Sequence, residues 1–314
     1  MMKTNSRTIN SIEYVFPIDH RQVKEPDPIV EGIIQEGKID NGLASIGMQL
    51  ALQHQGVVVD VGCHIGIDCL QLASYGRHSF IAIDGSKESI TCLKKSIDKN
   101  NLNNIEPVHA VVSHSNFKCS FAKFAHSKNI IFKAMGFFRG MWVWRWFSKM
   151  KTKTLDEIIG DTHCGTIKID VEGYEVAVLH GAAKTIMRDR PNLLIKIDPS
   201  YKHVDMILDT LHELDYDAYY FHPADLNHPT PLLAEIKEPC EECAPTFALC
   251  FAKGFDITPR FRLFKQDIQP TGTVEVDASA QLLQDIVNEK PVPLHISSQE
   301  NNNAEGLAQI KEMG

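Results

Sequence analysis

The chain has 314 residues, 43% of them hydrophobic, enough to bury a sizeable core in one large domain with extensions. Its formal charge is −8, and its apolar runs (VVVDV, FIAI, NLLI) are too short to span a bilayer. The opening MMKTNSRTINSIEYVF lacks the apolar stretch of a secretory signal, and the eight scattered cysteines read as reduced thiols of a cytoplasmic protein rather than a disulfide framework.

Residues up to about 30 are weakly patterned, with Pro26-Asp27-Pro28 as a breaker. A helix is expected over roughly Ile29 to Gln55, either continuous or interrupted near Gly42. Val57 to Val61 is an apolar β-branched run, as a strand buried on both faces requires. Ile67 to Tyr75 reads as a helix with Gly76 as its C-cap, Ser79 to Ile83 as a strand and Lys87 to Asn100 as a helix. Val108 to Val112 is the expected third strand. The alternation βαβαβ predicts a parallel sheet.

The order resumes at Thr154, which has capping-box spacing to Glu157. A short helix there leads to strand Thr166 to Ile169, helix Tyr174 to Arg188, strand Asn192 to Ile197 and helix Val204 to Leu214. Ala218 to Phe221 and Phe247 to Ala252 read as a closing strand pair. From about Thr271 the chain is polar and acidic, and SSQENNNAEG has the composition of a disordered tail from about residue 297.

Between the halves, Pro107 to Leu155 holds nine Lys and Arg and no Asp or Glu, so it carries +9 against −17 for the rest. A basic face on an acidic body suits an anionic ligand or surface, and equally a solvated rim of lysines. All three tryptophans lie here. As a strand, Trp142, Trp144 and Trp146 share one face. Core packing over the sheet edge, an acceptor pocket and a membrane interface are the three uses open to that stripe.

Two strand ends carry the chemistry, because open α/β sheets bind ligands at the carboxyl ends of their strands. The first is DVGCHIG, with Asp60, Gly62 and Gly66 around Cys63 and His64. Its spacing, D-x-G-x-x-x-G, is not the G-x-G-x-x-G of dinucleotide sites. Asp84 ends the next strand, 24 residues after Asp60, where an acid can accept hydrogen bonds from both hydroxyls of a ribose. The second strand end is TIKIDVEGYE, with Lys168, Asp170, Glu172 and Glu175. Asp170 and Glu172 are candidates for positioning or deprotonating a hydroxyl, and Lys168 for orienting a carboxylate or the acceptor oxygen. Glu172 could instead cap the following helix, and the two acids could hold a divalent cation. Cys240, Cys243 and Cys250 invite a zinc reading, but a structural site wants four ligands, and only a distant His222 or His228 could complete it.

The pieces VVVDVGCHIGIDCLQLASYG, FIAIDGS, VHAVVS, KTKTLDEII and IKIDVEGYEVAVLHGAAKTIMRDRPNLLIKI, in that order, resemble the FkbM family of S-adenosylmethionine-dependent methyltransferases. The resemblance covers roughly Gly56 to Ile197 and continues more weakly to about Gly254. It implies a class I Rossmann-like α/β fold: a central, mostly parallel seven-stranded sheet flanked by helices, with an antiparallel last strand. It makes 38–256 the methyltransferase domain, with a basic insertion at 118–153, an extension over 1–37 and another over 257–314. It implies S-adenosyl-L-methionine as cofactor. Asp60, Gly62, Cys63, His64 and Gly66 would surround its methionine part. Asp84, Gly85 and Ser86 would hold the ribose, and Val112 and Ser113 would flank the adenine. The family more often has Glu where Asp84 stands, Ala-Asn in place of Cys63-His64, and Glu near Lys196. The implied acceptor is a hydroxyl on a sugar, glycan or polyketide-like molecule. The basic, Trp-rich segment allows peripheral membrane contact through Trp142, Trp144 and Trp146, and no nucleic acid or resident metal is expected. A non-catalytic binding protein on the same fold and a nicotinamide-dependent oxidoreductase are the rival readings.

Overall fold

The computed structural model describes residues 4–17, 30, 33, 42–52, 55–116, 118–120, 149–198, 204–221, 232–236, 246–257 and 260–264. The tryptophan stripe, the Cys240 and Cys243 pair, His222, His228 and the polar tail lie outside them.

A nine-stranded sheet organises the chain. Its strands are β3 (Val57–Val61), β4 (Phe80–Asp84), β5 (Ile105–His109), β8 (Cys164–Ile169), β9 (Asn192–Ile197), β10 (Tyr216–Phe221), β11 (Leu232–Glu235), β12 (Thr246–Ala252) and β13 (Arg262–Phe264). Their order is β13-β11-β10-β12-β9-β8-β3-β4-β5. The five strands from β9 to β5 are mutually parallel, and β12 runs antiparallel to both its neighbours, β9 and β10. Those five with β12 and β10 make the seven-stranded core with its antiparallel last strand. The short β11 and β13 extend one edge. A hairpin of β1 (Thr4–Ile9) and β2 (Ile12–Pro17) and a small pair, β6 (Lys118–Ser120) with β7 (Lys149–Lys151), complete the strands.

Period-two alternation sends successive side chains of the buried strands into different layers. Val58 and Leu194 join one core with α1 (Gly42–Ala51), α2 (Ile67–Ala73), α3 (Lys87–Lys99) and the hairpin. Val59, Val61, Leu193 and Ile195 join the other, with α4 (Leu155–Ile159), α5 (Glu175–Gly181), α6 (Ala183–Asp189) and α7 (Val204–Glu213). With both faces covered, these strands read as continuous apolar runs.

Four expectations change. The weakly patterned start folds as a hairpin on α3: the Val15 N–H donates to Ser96 Oγ at 2.9 Å and the Glu13 N–H to Asn100 Oδ1 at 2.9 Å. The third strand is Ile105–His109, not Val108 to Val112, because Phe80 to Asp84 pair with Ile105 to His109. Pro107 is tolerated there because β5 is an edge. Ala110, Val111 and Val112 are apolar because they are buried, not because they are paired along a strand. The α-helix expected over Ile29 to Gln55 is observed as Gly42–Ala51, with Val30 and Ile33 buried and helical before it. Finally, the helix expected over Tyr174 to Arg188 is two helices, broken at Ala182 (φ −107°, ψ 2°). The break falls where Gly181 lies against the Ser113 carbonyl, so closely that a Cβ would sit 2.2 Å from its oxygen.

Candidate active site

The carboxyl ends of β3, β4, β8 and β9 lie side by side in the sheet, and each presents an ionisable side chain. At the end of β3 the chain turns sharply. The N–H groups of Gly62 and Cys63 both donate to the Ile83 carbonyl, at 2.9 and 3.1 Å. Gly62 has φ +85°, and a Cβ there would lie 1.9 Å from the Asp170 carbonyl oxygen. This glycine therefore lets the loops after β3 and β8 touch. Gly66, also at φ +85°, opens α2, where a Cβ would strike Leu93. Both glycines of the expected cofactor loop are thus explained by close approach of protein to protein.

Asp60 is 1% exposed, and its Oδ1 receives Lys168 Nζ at 3.0 Å. Lys168, 3% exposed on β8, also lies 3.3 Å from Asp68 Oδ2 in the first turn of α2. Asp68 is itself 2% exposed. Two carboxylates thus share one ammonium out of water, and Asp60 Oδ2 is buried without a hydrogen-bond partner. Burial, with Asp68 and Asp170 adding to it, pushes the Asp60 carboxyl up to about 6 against the pull of Lys168. Burial works against the charge on Lys168, but Asp60, Asp68 and Asp170 together hold its ammonium well above the ordinary lysine range. Lys168 thus pairs with two buried carboxylates.

Asp84 ties two loops together. Its Oδ2 accepts the His64 N–H at 2.9 Å and its Oδ1 the Ser86 N–H at 2.7 Å. His64 reaches this position in a left-handed conformation, φ 53°. Burial raises the Asp84 carboxyl above the usual aspartate range, opposed by the Ser86 N–H and by His64 and His109. Ser86 caps α3 by accepting the Ser89 N–H at 3.1 Å, and the Gly85 carbonyl accepts from His109 Nε2 at 3.1 Å. Cys63 is buried close to both acids, and burial pushes its thiol well up, so it stays protonated and inert.

Val112 and Ser113 follow β5. Val112 bridges Lys153, the Ser113 N–H donates to the Lys153 carbonyl at 2.9 Å, and both residues are buried. Ser113 is also the residue packed against Gly181, so this turn links β5 to α5.

At the end of β8, Asp170 is half-buried, and its Oδ1 lies 3.0 Å from Lys196 Nζ at the end of β9. Burial works against the Lys196 charge, but Asp170, Glu172 and Glu175 outweigh it and raise its ammonium. Glu172 is exposed and left-handed, φ 49°. It is not the cap. Glu175, 2% exposed, reaches back from α5 to accept the Val171 N–H at 3.3 Å and the Gly173 N–H at 3.1 and 3.0 Å. Its carboxylate fills the site at the head of the helix, so Glu172 is left pointing from a strained turn.

The structure gathers Asp60, Lys168 and Asp68 into one buried group, Asp84 with His64 and Ser86 into a second, and Asp170 with Lys196 into a third. Sequence reasoning missed Asp68 and the part played by Lys196. Asp68 had one available signal, an acid four residues before Leu72 on an otherwise apolar helix face. Lys196 stood out as the departure from the Glu that relatives more often carry nearby. Among the described residues no group of three or more His, Cys, Asp or Glu is placed to hold a metal ion, and no helix is long and apolar enough to cross a membrane.

A parallel sheet that reverses its strand order beside β3, with acids at the ends of β3 and β4, defines an α/β protein of the Rossmann-like class. The model of the methyltransferase FkbM domain matches residues 60–218, which include every site residue named above, and the chain belongs to the FkbM methyltransferase family. The fold is accordingly that of the class I methyltransferases. Among solved structures, the chain is similar to a methyltransferase FkbM from Methylobacillus flagellatus, at 17% identity and a TM-score of 0.42 over 64% of this chain and 44% of that one. It is similar to a T. thermophilus 16S rRNA methyltransferase in complex with AdoMet and guanosine, at 15% identity and a TM-score of 0.37 over 80% and 50%. It is also similar to M. jannaschii TYW2 in complex with AdoMet, at 11% identity and a TM-score of 0.40 over 80% and 85%. The chain spans about half the length of the first two. No curated protein matches it in sequence.

Proposed function

We propose that this chain is an S-adenosylmethionine-dependent methyltransferase acting on a hydroxyl of a sugar, glycan or other small molecule. The observation that carries the reading is Asp84. Two backbone N–H groups, from His64 and Ser86, fix its carboxylate, one on each oxygen. A carboxylate offers about four acceptor positions, so about two remain for the two hydroxyls of a ribose. The residues also fit the other end of the cofactor. Asp60 and Asp68 both lie beside Lys168, and Asp60 Oδ2 has no hydrogen-bond partner among the described residues. That suits the cationic methionine end.

When bound, S-adenosylmethionine supplies an electrophilic methyl group for in-line displacement. This chain's part is alignment and proton handling. Asp170, held by Lys196 and half-buried, stands at a strand end open to an acceptor hydroxyl, and Glu172 follows on an exposed turn. Asp170 is the base or positioning group in this reading and Glu172 the second acid. Cys63, Cys69, Cys92, Cys164 and Cys250 are free and buried, which suits a reducing cytoplasm.

The test is titration calorimetry with S-adenosylhomocysteine on the native chain and Asp84→Ala. The expected result is micromolar binding that is lost in the variant while NAD gives no heat. A folded native chain that ignores S-adenosylhomocysteine would sink the reading. Binding without turnover on any acceptor class would leave a non-catalytic cofactor-binding protein.

A further inference from the structure

We propose that Tyr14, on the β1–β2 hairpin, belongs to the cofactor site and donates its hydroxyl to the carboxylate of the cofactor's methionine part. The inference rests on the S-adenosylmethionine reading above and adds to it a binding residue from outside the sheet.

The Tyr14 hydroxyl is an anomaly in a core. The residue is 1% exposed, and among the described residues its Oη has no hydrogen-bond partner. A buried hydroxyl left unpaired costs stability, and phenylalanine would fill the same space without that cost. Nearly all buried polar groups in proteins are paired. The partner that the described residues do not supply is therefore to be sought in a ligand.

The surroundings of Tyr14 point to which ligand. The ring packs in the layer that holds Ile67, Cys69 and Leu70 of α2. Burial first, and then Asp68, Cys69 and Tyr75, push its phenol well above the ordinary tyrosine range. Asp68 stands in the first turn of α2, 3.3 Å from Lys168 Nζ, and Lys168 reaches Asp60 at 3.0 Å. Tyr14 thus approaches Asp68 from the hairpin, while Lys168 and Asp60 approach from the sheet. Its backbone is also held in place. The Glu13 N–H donates to Asn100 Oδ1 and the Val15 N–H to Ser96 Oγ, each at 2.9 Å, and Asn100 Nδ2 donates to the Glu13 carbonyl at 2.8 Å. The residues on either side of Tyr14 are pinned to α3 and its C-cap, so the ring is presented at a fixed place.

The chemistry selects the ligand atom. Burial and its neighbours keep the phenol protonated, so it is a hydrogen-bond donor at neutral pH. The methionine part carries an ammonium and a carboxylate on one carbon. The ammonium suits Asp60 and Asp68, and the carboxylate, brought along beside it, needs a donor. A neutral hydroxyl meets that need without adding charge to the buried group, and a hydroxyl bonded to a carboxylate is of the strong, charge-assisted kind.

The experiment is calorimetric titration of the full chain, native and Tyr14→Phe, with three ligands. S-adenosylhomocysteine has both groups, its decarboxylated form keeps the ammonium alone, and adenosine has neither. Urea denaturation of both chains is measured without ligand. The expected result is that Tyr14→Phe binds S-adenosylhomocysteine about tenfold more weakly, as loss of a hydrogen bond to a charged group requires. It binds the other two ligands as the native chain does, and it unfolds at the same urea concentration or a higher one. A hydroxyl that merely fastened the hairpin would lower the urea midpoint. That outcome would overturn the role of Tyr14 and leave the methyltransferase reading standing. So would unchanged S-adenosylhomocysteine affinity in Tyr14→Phe, an equal loss for all three ligands, or a native chain that binds S-adenosylhomocysteine and its decarboxylated form alike. No binding of S-adenosylhomocysteine by the native chain would overturn both.

Discussion

The two ends of β8 use the same kinds of residue to opposite effect. At its amino end, Asp189 accepts the Cys164 N–H at 2.9 Å, lies 2.7 Å from Arg188 Nη2 and meets His163 Nδ1 at 3.2 Å. Arg188 goes on to the carbonyls of Gly160 and Thr162, at 2.7 and 2.8 Å. The anion there is matched, and its main cation is 41% exposed. At the carboxyl end, Lys168 is buried between two acids and Asp60 keeps one oxygen unmatched. The amino end closes a loop. The carboxyl end keeps its charges out of water, where each interaction is stronger.

The largest expected effect breaks the carboxyl end. Lys168→Met strands two buried carboxylates, and removing one member of a buried ionic group costs about 3–5 kcal/mol. Urea denaturation should show a loss of that size, with Asp60→Asn and Asp68→Asn together in the same background recovering much of it. The matching change at the other end, Arg188→Met, should cost far less, since its charge is largely solvated. Equal losses at the two ends would erase the distinction.

Gly62→Ala should come next. The added Cβ meets a backbone oxygen at 1.9 Å, and the position is left-handed. Overpacking of this kind costs about 1–3 kcal/mol, with about 1 more for the backbone conformation. Thermal denaturation should report the sum, together with loss of S-adenosylhomocysteine binding as the two loops separate.

Asp189 sharpens the comparison through pH. Its carboxyl is brought down to about 2 by Arg188 first, with the Cys164 N–H and His163 adding to it. A folded value below the unfolded one gives stability that is present above about pH 4 and lost as the pH falls toward 2. Acid denaturation of the native chain should show that loss, and Asp189→Asn should lack it while being about 1 kcal/mol less stable at neutral pH. Asp60 has the opposite sign, because its folded value lies above the ordinary one.

These contrasts explain what the sequence could and could not reveal. The run VVVDV announces a strand covered on both faces, and the alternation of strands and helices fixes a parallel sheet, because both are local consequences of burial. The position of Asp84 at the end of β4 was legible because the apolar run before it stops there. Thr154 capping α4 was legible too, and its Oγ1 accepts the Glu157 N–H at 3.2 Å. The misses are contacts across the sheet. The break at Ala182 coincides with the close approach of Gly181 to Ser113, 68 positions earlier in the chain. Asp68 looks like any surface acid until Lys168, a hundred residues away, is placed beside it. The strand at Ile105–His109 was displaced in the reading because burial of Val111 and Val112 imitates pairing.

The smallest structural effect belongs to Glu172, and it separates the two acids of the turn after β8. Glu175 satisfies the loop N–H groups, so Glu172 is not needed to hold the turn. Its left-handed backbone costs a non-glycine residue about 1 kcal/mol, and glycine would return most of that in lost unfolded-state restriction. Glu172→Gly should therefore leave stability within about 1 kcal/mol and S-adenosylhomocysteine affinity unchanged. If its carboxylate deprotonates the acceptor, turnover should fall by about a hundredfold or more, within the range for a general base, with Glu172→Gln falling as far. Turnover that survives both changes would remove Glu172 from the chemistry and leave the Asp170 and Lys196 pair to carry it.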